Sequence, residues 1–97
     1  MAKRIIWSAN ALADRIYILD YWFQKIGNKT YSRKLDSSLQ EVIKHLSSFP
    51  EMGRKLDQRN ERFLVKDAYQ IIYSIVKNEI HILHIWDCRR NPDDLKL

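Results

Sequence analysis

The stretch from Tyr69 to Trp86, YQIIYSIVKNEIHILHIW, consists of two segments in which apolar residues recur at alternate positions, joined at Lys77-Asn78. Alternation with a period of two is typical of a β-strand with one buried face. Asn tolerates the positive φ of a tight turn, so Lys77-Asn78 predicts a hairpin. A shorter β-type segment, Arg62 to Lys66, precedes them, and three consecutive strands with short connections predict an antiparallel meander. On its middle strand we expect one buried face, formed by Tyr69, Ile71, Tyr73 and Ile75.

The apolar face of this meander needs a cover, and the sequence upstream predicts two amphipathic helices. They run from about Ala9 to Ile26 and from about Thr30 to Ser48, with apolar residues spaced alternately four and three positions apart. The stripes are Leu12, Ile16, Leu19, Phe23 and Ile26 in the first helix and Leu35, Leu39, Val42, Leu46 and Phe49 in the second. We expect both stripes to belong to the core. Because only a few residues separate the helices, they should pack as an antiparallel hairpin.

Short segments complete the predicted fold. Arg4 to Trp7 predicts a first strand, and Ser8 behind it is a favoured residue for capping the first helix. Pro50 to Glu61 is charged and aperiodic and predicts a loop, and the tail from Arg89 to Leu97 should be irregular. The predicted fold class is α+β in a single domain, residues 1–97: an N-terminal strand, an antiparallel helical hairpin, then a three-stranded antiparallel meander packed against the helices.

Composition narrows the functional classes. The 97 residues include 17 Lys and Arg against 12 Asp and Glu, a net charge of +5. Such a balance favours polyanionic partners such as nucleic acid, a ribosome or an acidic protein, although a protein can also be basic without them. Cys88 is the single cysteine, and with three scattered histidines it lacks zinc-ligand spacing, so we predict no disulfide, metal or cofactor. No apolar run approaches a membrane span or a secretory signal, and we expect a cytoplasmic protein without a membrane partner.

Four local sequences, in order along the chain, resemble those of the RelE/ParE superfamily of bacterial type II toxin–antitoxin toxins. They are Ile6-Trp7-Ser8 with Ala11, the Pro-x-x-Gly-Arg loop in Phe49–Arg54, Tyr69–Tyr73, and Ile82–Trp86 running into Cys88-Arg89-Arg90. The resemblance implies a toxin that arrests growth and is neutralised by a small antitoxin. RelE-like members cut mRNA in the ribosomal A site through the RNA 2′-hydroxyl, whereas ParE-like members inhibit DNA gyrase and are not nucleases.

Cutting RNA in this way requires a base, charge stabilisation at the phosphate and a proton for the leaving oxygen. If the chain is a ribonuclease, the candidate catalytic residues are Arg89, Arg90 and Arg62. The candidate target- or phosphate-binding residues are Lys66, Gln70, Arg54, Lys55 and Arg59. We expect Arg62, Lys66, Arg89 and Arg90 to converge on the open face of the sheet, with Arg54, Lys55 and Arg59 near its rim. Alternatively, Arg89 and Arg90 form salt bridges with Asp93 and Asp94 or with an acidic antitoxin.

The match to the cutting members fails at two places. Gln70 stands where many ribonuclease members have Arg, and Asn91-Pro92 replaces the His and Tyr that follow Cys-Arg-Tyr in YoeB-like enzymes. The remaining candidate bases are Glu61, His84 and Asp87. We therefore favour a ParE-like inhibitor of DNA gyrase over a RelE-like, ribosome-dependent mRNA endoribonuclease. A non-toxic basic nucleic-acid-binding module is a further alternative. The expected protein partner is a short antitoxin with acidic residues and an amphipathic helix or strand.

Overall fold

The structure is a computed structural model that describes residues 2–57 and 59–89. Its elements are β1 (Arg4–Trp7), α1 (Ala9–Ile26), α2 (Thr30–Ser48), β2 (Arg54–Lys55), β3 (Arg62–Lys66), β4 (Tyr69–Val76) and β5 (Glu79–Asp87). The strands form one sheet in the order β1-β5-β4-β3-β2, in which β1 runs parallel to β5 and the other neighbours are antiparallel. The predicted α+β class, the helical pair and the meander are confirmed.

Strand β2 is an addition to the predicted fold. Residues 50–61 were expected to be a loop, yet Arg54 and Lys55 pair with Phe63 and Arg62 of β3. The loop behind β2 is closed by a hydrogen bond of 2.8 Å from the Leu56 amide to the Glu61 carbonyl. A strand of two residues is too short to produce a periodic pattern in the sequence. Its formation depends on the neighbouring β3 edge, which the local sequence does not contain.

The core lies between the helices and one face of the sheet. The sheet contributes Tyr69, Ile71, Tyr73, Ile80, Ile82 and Ile85, and α2 contributes Leu35, Leu39, Ile43 and Leu46. A bulge makes this possible. Ile72 pairs with His84 and Tyr73 with Ile82, so Leu83 has no partner on β4. Because the extra residue corrects the alternation, Ile82 and Ile85 both face the helices although three positions separate them.

The apolar stripe of α1 is not directed into the core as predicted. Leu12 is 43% exposed and Ile16 is 68% exposed, whereas Ala11 and Ile18 are buried. Ala11 and Ile18 each lie one position ahead of a stripe residue, Leu12 and Leu19, which is about 100° around a helix with 3.6 residues per turn. Spacing predicts that a stripe exists but not the direction in which it points. Small Ala11 is the residue that meets the sheet.

The helical hairpin is tied by polar contacts that the stripes do not reveal. Arg15 donates two hydrogen bonds, of 2.8 and 2.9 Å, to the carboxylate of Asp36. The Ser32 hydroxyl donates to the Leu19 carbonyl at 2.8 Å, so the helices approach closely at this small residue. The left-handed conformation of Gly27, with φ of 87°, ends α1.

The positive φ in the β4–β5 turn belongs to Lys77, at 54°, and not to Asn78. A positive φ at the first loop residue alone is the φ pattern of a type II′ turn, whereas the expectation for Asn78 assumed the second position. The Lys77 carbonyl accepts a hydrogen bond of 2.7 Å from Lys3 Nζ. The predicted hairpin is therefore present with a different turn geometry.

A buried hydroxyl holds the Pro-x-x-Gly-Arg loop on the sheet. Tyr73 Oη donates to the Pro50 carbonyl at 2.7 Å and accepts from the Gly53 amide at 2.9 Å. A Cβ atom at position 53 would lie 2.6 Å from Tyr73 Oη and 2.7 Å from the Phe63 carbonyl, so only glycine fits. Burial raises the pKa of Tyr73, which keeps the phenol protonated and able to donate.

Replacing Tyr73 by Phe should lower the free energy of unfolding by about 1–3 kcal/mol, because the Gly53 amide and the Pro50 carbonyl lose their shared partner. Chemical denaturation followed by circular dichroism measures the change. The matched control is Tyr31→Phe, since Tyr31 is exposed and its ring contact with Trp22 would remain. Equal stability of the two variants would contradict a structural role for the Tyr73 hydroxyl.

Candidate functional site

The half of β5 that β1 does not reach is covered by α1. Strand β1 pairs with β5 only from Glu79 to Ile82. Beyond that point the Ser8 hydroxyl donates to the Leu83 carbonyl at 3.0 Å, and Asp14 Oδ2 accepts from the Ile85 amide at 3.0 Å. These side chains satisfy backbone groups that would otherwise form an open sheet edge. The edge is therefore closed by α1 and its cap and not by another strand.

A cavity of about 270 Å³ lies between α1 and this part of β5. It is lined by Asp14, Tyr17, Ile18, Tyr21, Tyr69, Ile85, Asp87 and Arg89. Phenol, carboxylate and guanidinium groups thus surround a small opening. Burial raises the pKa of Tyr69, whose hydroxyl accepts a hydrogen bond of 2.8 Å from Trp22 Nε1.

Arg89, a candidate phosphate-binding residue, is paired within the chain. Its Nε and Nη2 atoms donate to the two carboxylate oxygens of Asp87 at 2.9 and 2.7 Å. The hydrogen bond to Asp87 raises the pKa of Arg89 further above its ordinary value, and the guanidinium lies 5.9 Å from the centroid of the Trp22 ring. To bind a phosphate, Arg89 would have to share or exchange this carboxylate. The predicted alternative partners, Asp93 and Asp94, lie outside the described residues, as does Arg90.

The candidate residues on the strands point to opposite faces of the sheet. Cross-strand partners share a face, and Arg54 lies in a row with Phe63, Ile72 and His84, away from the helices. Gln70 is on the same open face, in a row with Val65 and Trp86. Arg54, expected near the rim of the open face, and Gln70 therefore lie on that face, whereas the expectation that Arg62 and Lys66 lie there is wrong.

Three other candidates belong to the helix-facing rows. Lys55 pairs with Arg62, which pairs with Tyr73, and Lys66 pairs with Tyr69. Arg62 Nη1 donates to the Gly53 carbonyl at 2.8 Å, so its guanidinium supports the Pro-x-x-Gly-Arg loop. Arg62 and Lys66 are separated by four residues, about 13 Å along a strand. The structure does not bring Arg62 to Arg89, which follows the opposite end of the sheet.

The remaining candidates lie against other ionisable side chains. Arg59 donates to both carboxylate oxygens of Glu61, at 3.4 and 3.0 Å, on the exposed loop. This interaction lowers the pKa of Glu61. His84 Nδ1 lies 3.2 Å from Asp14 Oδ2, and its side chain is 14% exposed. Asp14 lies on α1, and no sequence signal connects it with a strand residue seventy positions later.

In residues 2–57 and 59–89, no group of three or more His, Cys, Asp or Glu side chains could hold a metal ion. In the same residues, neither helix combines the length and the apolar character required to cross a membrane.

The family profile described as "ParE toxin of type II toxin-antitoxin system, parDE" matches residues 5–92. The chain belongs to this family. The expected membership of the RelE/ParE superfamily is thereby confirmed, and the ParE toxin match covers both helices, strands β2 to β5 and all of β1 except Arg4. A search of curated proteins finds no match.

Solved structures agree with this ParE-family fold. A chain from a structure titled "Chromosomal ParDE TA system from P. aeruginosa" superimposes with a TM-score of 0.76. The alignment covers 89% of this chain and 96% of that chain, with 23% sequence identity. At that identity the likeness concerns the fold, and it confirms the arrangement of strand, helical pair and sheet.

Asp14 should prove important for stability. Asp14→Ala removes the acceptor of the Ile85 amide and should lower the free energy of unfolding by about 1–3 kcal/mol. Asp14→Asn retains an acceptor oxygen and should lose less. Asp20→Ala, on the exposed side of the same helix, is the matched control. Amide hydrogen exchange should accelerate at Ile85 in Asp14→Ala but not in the control, and an unchanged rate would contradict the predicted role.

Proposed function

We propose that this ParE-family chain arrests bacterial growth as the toxin of a type II toxin–antitoxin pair, and that its target is DNA gyrase. The observation that carries the proposal is the ParE toxin match across residues 5–92. The resemblance associates ParE-like members with gyrase inhibition and RelE-like members with mRNA cleavage. Family membership therefore favours the first mechanism, and the chemistry of the described residues supports it.

A general base for the RNA 2′-hydroxyl works best when its pKa lies near the operating pH. The Arg59 guanidinium lowers the pKa of Glu61 and so moves it away from neutrality. Asp87 binds Arg89 in two hydrogen bonds, and His84 lies against Asp14. Each candidate base within residues 2–57 and 59–89 thus has an acidic or basic neighbour of its own.

Stabilising the phosphate requires cations that can be directed at it. Arg62 donates to the Gly53 carbonyl and Arg89 to Asp87, so both guanidinium groups already have acceptors. Gln70, on the open face, has no charge. These contacts support a protein that acts by binding a macromolecular target and not by cleaving a phosphodiester.

The second candidate function is ribosome-dependent mRNA cleavage. One arrangement favours it: Arg54, Gln70 and His84 share the open face of the sheet, where a nucleotide could meet a cation and hydrogen-bonding groups. The net charge of +5 would assist binding to RNA. Purified protein distinguishes the two functions.

The proposed partner is a small antitoxin. A toxin with a net charge of +5 favours an acidic neutralising segment, since opposite potentials accelerate association. The P. aeruginosa structure is titled as a ParDE system, and by analogy the partner of this chain would be encoded beside it. Segments that wrap a protein and order on binding can bury a long surface and bind tightly.

Expression of the chain alone should arrest bacterial growth, and co-expression of the adjacent small open reading frame should restore it. The two proteins should elute together from a sizing column at micromolar concentration. Normal growth with abundant folded protein would contradict the toxin function. Growth arrest without co-elution would contradict the proposed partner alone.

The wild-type protein should inhibit supercoiling by DNA gyrase and should give weak or undetectable cleavage of mRNA on programmed ribosomes. Arg89→Ala tests the alternative, because loss of one charge-stabilising donor typically lowers a rate on the order of 10²–10³-fold. The matched control is Arg4→Ala, because Arg4 is exposed and pairs with Glu79, at the end of β5 away from Arg89. Rapid mRNA cleavage that Arg89→Ala abolishes and Arg4→Ala retains would refute the proposed target.

A further inference from the structure

The turn between the two helices is rich in positive charge and in aromatic rings. From Tyr21 to Lys34 the sequence reads YWFQKIGNKTYSRK, with four aromatic residues, four cations and no Asp or Glu. The segment therefore has a charge of +4, in a chain whose net charge is +5. Interleaved cations and aromatic residues are typical of surfaces that bind nucleic acid. All four cations are exposed: Lys25, Lys29, Arg33 and Lys34.

These four cations belong to none of the salt bridges formed within residues 2–57 and 59–89. Two of them lie against aromatic rings instead. Lys25 Nζ lies 5.5 Å from the centroid of the Tyr21 ring, and Lys29 Nζ lies 5.7 Å from that of Phe23. A cation–π contact at an exposed site is weak, so either ammonium group can turn to a phosphate oxygen.

Three aromatic rings form one cluster in this segment. The Trp22 ring lies between the other two, with its centroid 5.2 Å from that of Tyr21 and 4.8 Å from that of Tyr31. Trp22 Nε1 donates a hydrogen bond of 2.8 Å to Tyr69 Oη, which ties the middle ring to β4. Tyr21 and Tyr31 are each 40% exposed. The two outer rings therefore present open surface, and the sheet holds the ring between them in place.

Positive charge lies beside this ring cluster. Lys25 Nζ is 5.7 Å and the Arg89 guanidinium 5.9 Å from the centroid of the Trp22 ring. Lys34 follows Tyr31 by three positions, so both side chains are on the same side of α2.

The neighbouring acids offset little of this charge. Asp87 is bound to Arg89, and Asp36, which follows the segment, is bound to Arg15. Asp20, exposed and one position before the segment, is the acid that remains beside it along the chain. The end of the molecule where the helices turn is therefore positively charged.

We propose that this segment, the basic aromatic turn (Tyr21–Lys34), binds a single strand of nucleic acid. Its lysines and Arg33 would contact phosphate oxygens, and bases would stack on Tyr21 and Tyr31. Proteins that bind single strands combine these two parts: cations that follow the backbone, and aromatic rings on which bases stack. The inference goes beyond the proposed function, because it requires neither gyrase nor an antitoxin.

The exposed rings favour a nucleic-acid strand over an acidic protein. Carboxylates of a protein would use the cations alone, whereas every base has a π-face that can stack on a tyrosine ring. In a duplex the bases stack on one another, so the expected ligand is unpaired. DNA and RNA share the phosphates and the base faces, and they differ in the 2′-hydroxyl.

The open face of the sheet offers less for stacking. Trp86 is 7% exposed, and Phe63, in the row of Arg54, is only partly exposed. Neither ring is as accessible as Tyr21 or Tyr31. A strand that stacks on aromatic rings is therefore expected at the basic aromatic turn.

Fluorescence anisotropy with labelled oligothymidylate and oligouridylate of about 16 nucleotides, the upper site size of a single-strand-binding module, measures the interaction. The wild-type chain should bind an unpaired strand more tightly than a duplex of the same length, and its affinity should fall as salt rises. Tighter binding of the deoxy strand would assign the turn to DNA, and tighter binding of the ribo strand would assign it to RNA. No binding, or equal binding of the duplex, would overturn the proposal.

Two pairs of variants test the two parts of the site. Tyr31→Ala should raise the Kd about 5-fold to 100-fold, the loss of one base–ring stack, whereas Tyr31→Phe keeps the ring and should bind as the wild type does. Lys25→Gln should reduce the slope of log K against log salt by about 0.7, the effect of one phosphate contact. Lys44→Gln is the matched control, because Lys44 is exposed on α2 about 15 Å beyond Lys34. Circular dichroism of each variant establishes that it is folded.

Several results would overturn the proposal. Equal effects of Lys25→Gln and Lys44→Gln would mean that net charge alone attracts the strand, and unchanged affinity of folded Tyr31→Ala would exclude stacking at the turn. Weaker binding by Arg54→Gln but not by Lys25→Gln would place the strand on the open face of the sheet. Displacement of the strand by oligoglutamate as readily as by unlabelled strand would assign the turn to an acidic protein. Growth arrest and gyrase inhibition are measured separately, so the proposed function can stand when this site fails.

Discussion

Strand β5 has two strand neighbours of unequal length, and much of the molecule follows from that inequality. β4 pairs along the whole of β5, whereas β1 reaches only as far as Ile82. The chain leaves β1 at Ser8 and turns into α1, whose first turns cover the vacant part of the edge. Ser8 and Asp14 then satisfy the backbone of Leu83 and Ile85. The bulge at Leu83 lies at this transition and keeps the isoleucines on both sides of it directed toward the helices.

The position of α1 also determines which of its side chains remain outside. A helix that brings Ala11 and Asp14 to the strand edge must turn Leu12 and Ile16 away from it, because adjacent residues differ by about 100°. The salt bridge between Arg15 and Asp36 fixes the same rotation from the α2 side. The exposed stripe is thus a geometric consequence of closing the sheet edge. The same helix, α1, both closes the sheet and presents the surface that is available to a partner.

Much of the fold could be predicted from the sequence, because the helices and the long strands are periodic over many residues. The bounds of β1, α1, α2 and β3 agree with their predicted limits. The rotation of α1, the strand β2 and the positive φ of Lys77 depend on contacts with residues distant along the chain. For the candidate site, the sequence does not reveal which face of the sheet each side chain occupies. Whether Arg54 or Arg62 faces the open side depends on the register of β2 and β3, and one residue of shift would exchange the two faces. The composition also does not show that Asp87 binds Arg89, because it counts both residues only as charges.

The Pro-x-x-Gly-Arg loop illustrates how a recognisable motif can be informative about ancestry and uninformative about activity. Its proline supplies a carbonyl and its glycine an amide to the same buried phenol, and the glycine leaves no room for a side chain beside that ring. The motif thus marks the contact between the loop that follows the second helix and the sheet. Of these residues the contact itself requires only the glycine, because any residue at position 50 would supply a backbone carbonyl. The loop therefore constrains how the second helix joins the sheet, and it places no constraint on the surfaces that a target would contact.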